Sequence, residues 1–339
     1  MQRDTDAHAA TNSNMQKSES EITICSAYSS NDTKKELEIN HAFVQKMNPG
    51  VRLRWLVAEA SDIGETEQID PKKFLVYEGL RTRDIEKNIG WRSVQHAGSL
   101  NKLFPHVRTR FLLILDPDFY VVRPHWIREV VQHMSTNGLA FFGSPWHPRD
   151  YAKPRYFLST HFFCIDLLRV PVSEINFLPG NIKELPVNKK IPALARALIT
   201  DRQYIGKSRD SGFRMYQKFF NRTDTRRDSF KPVFRPWKDW DPLKNILWMP
   251  NALIEFFLPE RLCFLPKRRS EYSRKSFNEY GARGVADDKF EEYVWKDAPF
   301  AIHLRGTKAG YYGSGGNNKF TKDIEYIRSI LDTYMTDRV

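Results

Sequence analysis

The feature that most constrains the fold is a run of five apolar residues that ends in two carboxylates. Residues 111–115 read Phe-Leu-Leu-Ile-Leu, and Asp116, Pro117 and Asp118 follow directly. A short continuous apolar run is typical of a central β-strand that is covered on both faces. Two neighbouring carboxylates repel each other and are costly to bury. The run therefore predicts either a simple turn built from Asp and Pro or a cation site at the carboxyl end of an α/β sheet, where ligands commonly bind.

Strand and helix patterns alternate through the first half of the chain. We predict strands over 21–28, 51–59, 111–115, 139–146 and 157–170, with helices over 36–47, 91–107 and 126–134 between them. This alternation indicates right-handed βαβ units and a mostly parallel central sheet. Residues 1–20 are polar and without hydrophobic periodicity, so we expect a disordered leader followed by one domain over 21–339.

The composition limits the classes of partner. The net charge is +12, which favours nucleic acid, anionic lipid or phosphorylated ligands. No nucleic-acid-binding motif accompanies the basic residues, so nucleic acid is the least favoured of these partners. The three cysteines, Cys25, Cys164 and Cys263, are far apart and predict buried thiols rather than a zinc site or disulfides.

The sequence also bears on the membrane. No stretch approaches the roughly 20 apolar residues of a membrane span, and the amino terminus lacks a signal-peptide pattern. We expect a cytoplasmic protein, with a peripheral position at the inner face of the cytoplasmic membrane as a further expectation. Residues 229–275 combine Trp, Phe, Pro and basic residues. This mixture suits either contact with anionic lipid or packing beneath an acceptor loop.

The order of these patterns resembles the GT-A nucleotide-sugar glycosyltransferases, most closely the inverting enzymes of family 2 and their relatives. The likeness covers about residues 21–215: a first strand with a Ser/Asn/Asp loop, a second strand that closes in acids, a helix reading SVQHAGSLNKLF, and the strand before Asp-Pro-Asp. It implies an α/β GT-A fold, a Rossmann-like βαβ sandwich with a mostly parallel central sheet and a carboxyl-terminal region that faces the acceptor or the membrane. The implied parts are a nucleotide-binding half (21–122), an acceptor half (123–228), an aromatic and basic region (229–300) and a closing motif with a terminal helix (301–339).

The resemblance assigns metal ligands. Asp116 would face the nucleotide ribose or the metal, and Asp118 would bind the metal directly. The implied cofactor is Mg²⁺ or Mn²⁺, which stabilises the charge of a departing nucleoside diphosphate. Near the carboxyl end, AIHLRGTKAGYYG resembles the His-x-x-Gly-x-x-Lys element of several GT-A families. It implies His303 as a metal ligand and Lys308, one residue early, as a diphosphate contact for which Arg305 could substitute.

The resemblance also implies a catalytic base and a donor pocket. Asp210 opens a helical pattern, where inverting enzymes carry the acid that deprotonates the acceptor hydroxyl. The alternative is that Asp210 is only a helix N-cap, and the adjacent Arg209 would lower the pKa of Asp210 and weaken it as a base. The residues implied around the nucleotide and donor sugar are Ala27, Tyr28, Ser29, Glu59, Asp62, His96, Ser99 and Asn101. Tyr28 is the candidate for stacking on the base.

These observations leave three functional hypotheses. The first is metal-dependent transfer of a sugar from a UDP-, GDP- or dTDP-linked donor to a glycan or lipid-linked acceptor, as in surface polysaccharide or lipopolysaccharide synthesis, with inversion. The second is the same reaction with retention, since the His303 element is frequent in retaining families. The third is a non-catalytic basic protein that binds membrane or nucleic acid. A nucleotidyltransferase is disfavoured because no glycine-rich phosphate loop follows the first strand. We expect the Gly-rich residues 310–318 to form a lid, and His147 and His161 to pack in the core or line the acceptor side.

Overall fold

The fold is described from a computed structural model. The structure describes residues 22–62, 68–85, 91–147, 157–180, 211–220, 222–235, 272–280, 290–304 and 329, and the statements below concern these residues. Within them, the strands are β1 (Ile22–Tyr28), β2 (Leu53–Glu59), β3 (Leu75–Glu78), β4 (Phe111–Leu115), β5 (Phe119–Val121), β6 (Phe141–Pro145), β7 (Leu158–Asp166), β8 (Arg227–Ser229), β9 (Lys231–Pro232), β10 (Phe290–Trp295) and β11 (Ala298–Leu304). The α-helices are α1 (Asn31–Met47), α2 (Trp91–Leu103), α3 (Trp126–Asn137) and α4 (Phe213–Phe219). Short 3₁₀ turns cover Thr82–Asp84, Phe104–His106, Val172–Glu174 and Phe277–Tyr280.

The apolar strands form a seven-stranded main sheet in the order β3-β2-β1-β4-β7-β6-β8. β1 pairs in parallel with β2 and β4, β2 with β3, and β6 with β8, whereas β7 runs antiparallel to β4 and β6. The predicted α/β architecture with a mostly parallel central sheet is thereby confirmed.

A second, antiparallel sheet adjoins the first and was not predicted. Its order is β5-β11-β10-β9. The chain passes from the main sheet into this second sheet between β4 and β5, across Asp116, Pro117 and Asp118. The Asp-Pro-Asp segment is therefore a junction between two sheets and not the end of a hairpin.

The main sheet is covered on both faces because its central strands alternate between two cores. In β4, Phe111, Leu113 and Leu115 pack into the core that includes α1, α3 and the second sheet. Leu112 and Ile114 of the same strand pack into the core that includes α2 and α4. All five side chains are buried, as the continuous apolar run predicts.

Helix boundaries follow local capping chemistry. Ser30 caps α1: its hydroxyl accepts from the backbone N–H of Thr33 at 3.2 Å, and the Thr33 hydroxyl accepts from the N–H of Ser30 at 3.1 Å. This reciprocal pair gives hydrogen-bond acceptors to two backbone N–H groups that have no partner within the helix. As a result α1 begins five residues before the predicted start at 36. The helix predicted over 91–107 ends at Leu103 and continues as a 3₁₀ turn that contains Pro105.

Two of the three cysteines lie in the main-sheet core. Cys25 and Cys164 are fully buried and not disulfide-bonded, and burial raises the pKa of both thiols. The prediction of buried thiols is confirmed for these two. Cys263 lies outside the described residues, as do the leader over 1–20 and residues 310–318. No helix in the described ranges has the length and apolar character needed to span a membrane.

A buried ion pair lies at the last residue of β7. The Asp166 side chain is fully buried and accepts two hydrogen bonds from the Arg110 guanidinium, at 3.1 and 2.8 Å, with Arg169 at 3.5 Å. Asp224 and Arg222 make a pair of the same two-bond type at 2.9 and 2.6 Å, but the Asp224 side chain is 62% exposed. The two pairs differ in exposure to water, and each has a further partner: Asp166 also accepts from the N–H of Leu168 at 3.1 Å, and Arg222 also donates to Glu174 at 3.0 Å.

We predict that Asp166→Asn lowers the free energy of unfolding by about 1–3 kcal/mol, because a buried group loses a charge-assisted bond to Arg110. Asp224→Asn is the matched control and is expected to leave the denaturation midpoint unchanged, because water replaces an exposed pair at little cost. Urea denaturation of both variants and the wild type measures the difference. Equal losses in the two variants would contradict the role that we give to burial.

Candidate functional site

The Asp-Pro-Asp segment is fixed by main-chain and side-chain hydrogen bonds. The N–H of Asp116 donates to the carbonyl of His161 in β7 at 3.0 Å, and the N–H of Phe119 donates to the carbonyl of Asp116 at 3.1 Å. Asn40 of α1 is fully buried, and its amide nitrogen lies 3.3, 3.2 and 2.8 Å from the carbonyl oxygens of Asp116, Pro117 and Phe119. The backbone that presents both carboxylates is therefore held in one conformation.

Strand β11 brings His303 to Asp118. His303 pairs with Phe119 in the ladder between β11 and β5, and the N–H of Leu304 donates to the carbonyl of Asp118 at 3.0 Å. This register places His303 Nε2 3.4 Å from Asp118 Oδ1. Two residues that the sequence analysis selected from distant motifs thus come into contact.

His303 lies between two carboxylates. Its Nδ1 is 2.9 Å from Oε2 of Glu291 in β10, and the hydroxyl of Tyr293 donates to the same Glu291 oxygen at 3.1 Å. Burial by itself lowers the pKa of His303, but the carboxylates of Asp118 and Glu291 outweigh burial and raise this pKa to about 10. The imidazole is thus buried between two acids.

His96 of α2 approaches the other carboxylate of the segment. Its Nε2 lies 3.3 Å from Asp116 Oδ1, and both side chains are partly exposed. Burial lowers the pKa of His96, but Asp116 and, less strongly, Asp118 raise it, so the net shift is upward. This contact does not have the geometry of a hydrogen bond, and neither of the two atoms has a hydrogen-bond partner among the described residues. Of the residues predicted to border the donor sugar, His96 is the one that contacts the Asp-Pro-Asp segment.

Glu36 is a site residue that the sequence analysis missed. Glu36 lies on α1, is 1% exposed, and is close enough to Asp118 and Asp116 for their charges to act on it. Burial, followed by the nearby charges of Asp118 and Asp32, raises the pKa of Glu36 well above its ordinary value. Burial and the charge of Glu36 likewise raise the pKa of the Tyr120 hydroxyl. One feature of the sequence could have revealed Glu36. Its spacing from Asn40 puts two polar side chains one helical turn apart, beside the apolar Leu37 and Val44.

The predicted nucleotide pocket gathers at the ends of β1 and β2. Tyr28 pairs with Glu59 in the parallel ladder, and the hydroxyl of Ser61 donates to Glu59 at 2.9 Å. Tyr28 is 2% exposed, and burial and the Glu59 carboxylate raise the pKa of its hydroxyl. Its ring is therefore packed in the core in this structure and does not present a face for base stacking. Asp62 carries one buried carboxylate oxygen that has no hydrogen-bond partner among the described residues.

The remaining donor-pocket residues differ in exposure. Ala27 is buried in the core that includes α2, whereas Ser29 is exposed and its N–H donates to Thr33 at 3.2 Å. Ser99 is fully buried and accepts from the N–H of Leu80 at 2.8 Å. Ser29 thus lies at the rim of the strand ends, and the hydroxyl of Ser99 stabilises the chain after β3.

Asn101 and the two other predicted histidines have clear surroundings. The Asn101 amide donates to Asn176 at 3.1 Å, and its oxygen accepts from the N–H of Phe177 at 3.0 Å. His147 is 1% exposed, with Nε2 3.1 Å from the Val233 carbonyl, as expected for a core histidine. His161 differs, because its ring lies 4.2 Å from the ring of His303, between centroids. Its position is therefore beside the candidate site.

Three predicted site residues, Asp210, Arg305 and Lys308, lie outside the described residues. The structure does bear on one alternative for Asp210. The N-cap of α4 is Gly212, which has φ 87°, a conformation that glycine adopts without steric cost. The alternative that Asp210 is the helix N-cap is therefore wrong, because the chain needs a glycine at the point where α4 begins.

The contact between His303 and Asp118 allows a test of whether these residues fit a divalent cation. Two ligand atoms about 2.1 Å from one octahedral ion are roughly 3 Å apart when they are neighbours, and the observed separation is 3.4 Å. No group of three His, Cys, Asp or Glu side chains within the described ranges is arranged to hold a metal. Mg²⁺ bound with phosphate substrates commonly takes only one or two protein carboxylates. A two-ligand site that a bound diphosphate completes therefore fits.

We predict that Asn40→Ala weakens ligand binding at this site as well as stability. Loss of the amide leaves buried carbonyl oxygens of the Asp-Pro-Asp segment without a donor, at about 1–3 kcal/mol of unfolding free energy. Asn48→Ala is the matched control: Asn48 is also buried, at the carboxyl end of α1, and accepts from the N–H of Ile127 at 2.9 Å. Both variants should melt earlier, and only Asn40→Ala should weaken Mn²⁺ binding in calorimetry. Equal Mn²⁺ affinity in both variants would contradict this role.

Comparison with known proteins gives only distant similarity. No family model matches the sequence, and no curated protein matches it. Among solved structures, the chain is similar to the mannosyltransferase PcManGT from Pyrobaculum calidifontis in complex with GDP-Man and Mn²⁺, with 13% identity and a TM-score of 0.33 over 56% of this chain and 54% of that one. It is also similar to S. aureus TarS 1–349 in complex with UDP-GlcNAc, with 11% identity and a TM-score of 0.32 over 49% of this chain and 51% of that one. The match spans about half the length of each neighbour, and at this level it assigns neither a family nor an activity.

Proposed function

We propose that the protein is a metal-dependent glycosyltransferase of the GT-A type, which transfers a sugar from a nucleotide-sugar donor to a glycan or lipid-linked acceptor. The observation that carries the proposal is the contact between Asp118 and His303 at the carboxyl end of the central strand β4. A carboxylate at the junction of the two sheets and an imidazole of the second sheet meet where open α/β sheets bind their ligands.

The charge pattern of the site supports a cation and a diphosphate as its occupants. Burial, and after it the charges of Asp118, Asp32 and, more weakly, Asp116, raise the pKa of Glu36, so acidic groups repel one another in this region. A divalent cation, when bound, would offset this repulsion and stabilise the charge of a departing nucleoside diphosphate. Asp118 and His303 would bind the cation, and Asn40 would keep the segment in position while they do so.

The chain offers separate groups for the other parts of a nucleotide sugar. Glu59 and Asp62, at the end of β2, are proposed to bind the hydroxyls of a ribose or the edge of a base. His96 would orient Asp116 and donate to a donor oxygen. Arg305 and Lys308 are proposed for the diphosphate on the basis of the sequence alone.

The stereochemical course depends on the acceptor side. An inverting transfer requires a base, and Asp210 is our candidate for the group that takes the proton of the acceptor hydroxyl. The retaining alternative does not require this base. The contact of His303 with Asp118 favours retention as a second candidate, because this histidine element is frequent in retaining GT-A families.

Residues 229–275 are proposed to contact the acceptor. Their basic and aromatic composition supports a surface that meets a lipid-linked acceptor and anionic headgroups, as surface polysaccharide or lipopolysaccharide synthesis would need. We place the protein in the cytoplasm, peripheral to the inner face of the membrane, on the same grounds. The competing class, a basic protein without catalytic activity, would bind lipid or nucleic acid without any nucleotide.

We predict that one nucleotide among UDP, GDP, dTDP and CMP raises the melting temperature of the protein in the presence of Mn²⁺ and not in the presence of EDTA. A ligand at one hundred times its Kd stabilises the native state by about 2.7 kcal/mol, which thermal melts detect readily. Asp118→Asn should abolish the shift, because it removes the charged ligand of the cation.

Asp228→Asn is the control for this experiment. Asp228 also contacts a histidine, with His133 Nε2 at 2.8 Å, but it lies on β8 at the far edge of the main sheet. This variant should keep the full nucleotide shift. A protein whose melting temperature responds to no nucleotide, but rises with anionic vesicles or RNA, would overturn the glycosyltransferase proposal in favour of the basic binding protein.

A further inference from the structure

We propose that Glu291 is a positioning residue that orients His303 for the cation. The proposal rests on the metal site put forward above. Glu291 was not predicted as a functional residue, because its segment, FEEYVW, gives no signal of a site. The structure places it directly beside His303, and three observations support the role.

The first observation is the register of the second sheet. Glu291 pairs with His303 across the antiparallel ladder of β10 and β11, so both side chains project from the same face. Glu291 Oε2 lies 2.9 Å from His303 Nδ1, and the two residues are 5% and 2% exposed. Since an ionised carboxylate can only accept, Nδ1 must carry the proton.

The second observation is that Glu291 is itself fixed. Tyr293 lies two positions further along β10, on the same face, and its hydroxyl donates to Glu291 Oε2 at 3.1 Å. The hydroxyl and the imidazole thus converge on one carboxylate oxygen. Rotation of the carboxylate away from His303 would break both contacts in a buried site.

The third observation is the direction of the remaining ring nitrogen. With Nδ1 bonded to Glu291, Nε2 faces Asp118 Oδ1 at 3.4 Å. A carboxylate that accepts from the distal nitrogen of a metal-binding histidine fixes the ring and increases its basicity as a ligand. Here Tyr293 contacts Glu291, Glu291 contacts the distal ring nitrogen of His303, and the other ring nitrogen of His303 faces Asp118.

The neighbouring residue Glu292 provides an internal contrast. It is buried to the same degree, at 6% exposure, but projects from the opposite face of β10. Its Oε2 accepts from the N–H of Phe277 at 3.1 Å. Two adjacent buried glutamates on one strand therefore serve different partners, and only Glu291 reaches the histidine.

The experiment compares Mn²⁺ affinity by titration calorimetry for the full chain and four variants. Glu291→Gln keeps the size and an acceptor oxygen but removes the charge, and we expect about 10- to 100-fold weaker binding. Tyr293→Phe removes one hydrogen bond to Glu291 and should weaken binding about 2- to 10-fold. Glu292→Gln, the matched control, should bind as the wild type does, and His303→Ala should lose binding.

A second readout reports the ring directly. In ¹⁵N NMR spectra with diamagnetic Mg²⁺ bound, His303 of the wild type and of Glu292→Gln should show a protonated Nδ1 and an unprotonated Nε2. In Glu291→Gln the Nδ1–H signal should shift, because a hydrogen bond to a neutral amide is weaker than one to a carboxylate. A residue that merely supported the fold would leave the hydrogen bond of Nδ1–H unchanged.

The outcomes separate this inference from the proposed function. If the wild type does not bind Mn²⁺, or His303→Ala binds it equally well, the proposed metal site is wrong. If the wild type binds and His303→Ala does not, wild-type affinity in Glu291→Gln overturns the role of Glu291, as does an equal loss in Glu292→Gln. Should Glu291→Gln fail to fold, Tyr293→Phe decides, and wild-type affinity in that variant overturns the inference.

Discussion

The coverage of β4 on both faces is the constraint on which the rest of the structure depends. Its five side chains alternate between two cores, and its backbone pairs with β1 on one side and β7 on the other. A strand that is buried on both faces has no position at which a polar side chain could reach water, so such side chains come only after its last residue. Asp116 and Asp118 therefore emerge at one defined position, and the chain turns there into a second sheet. That second sheet carries the histidine and the glutamate that complete the candidate site.

The parts of the fold that could be predicted are those with a clear hydrophobic period. The apolar runs predicted the central strands, and the helical spacing of apolar residues predicted α1, α2 and α3. Strands were missed where this period is absent, as two examples show. β3 exposes three of its four residues at the edge of the main sheet, and β10 begins with Phe-Glu-Glu, a pattern typical of a surface segment. Without β10, the sequence offers no reason to pair residues 290–295 with the His303 motif.

The candidate site could be predicted only where its residues lie at the ends of apolar runs. Asp118 and His303 follow such runs, and they meet as expected for one site. Glu36, Asn40 and Glu291 do not, because a polar residue in a helix or strand pattern is normally assigned to the water-exposed face. Their burial depends on what they face across the fold, namely backbone carbonyls for Asn40 and an imidazole for Glu291. Such tertiary partners leave no local signal in a single sequence.

The pairing of β5 with β11 has a consequence for the order in which the molecule is made. Asp118 and His303 are 185 positions apart in the sequence, and contacts so distant in sequence form late in folding. At about 5–20 residues per second, roughly 10–40 s of translation separate the two residues. During this interval the main-sheet strands can assemble, while the acids at the end of β4 still lack their histidine. A nascent or truncated chain that stops before β11 would therefore have much of its core but would lack His303, one of the two proposed cation ligands. Binding of the cation would then distinguish full-length molecules from partly synthesised ones.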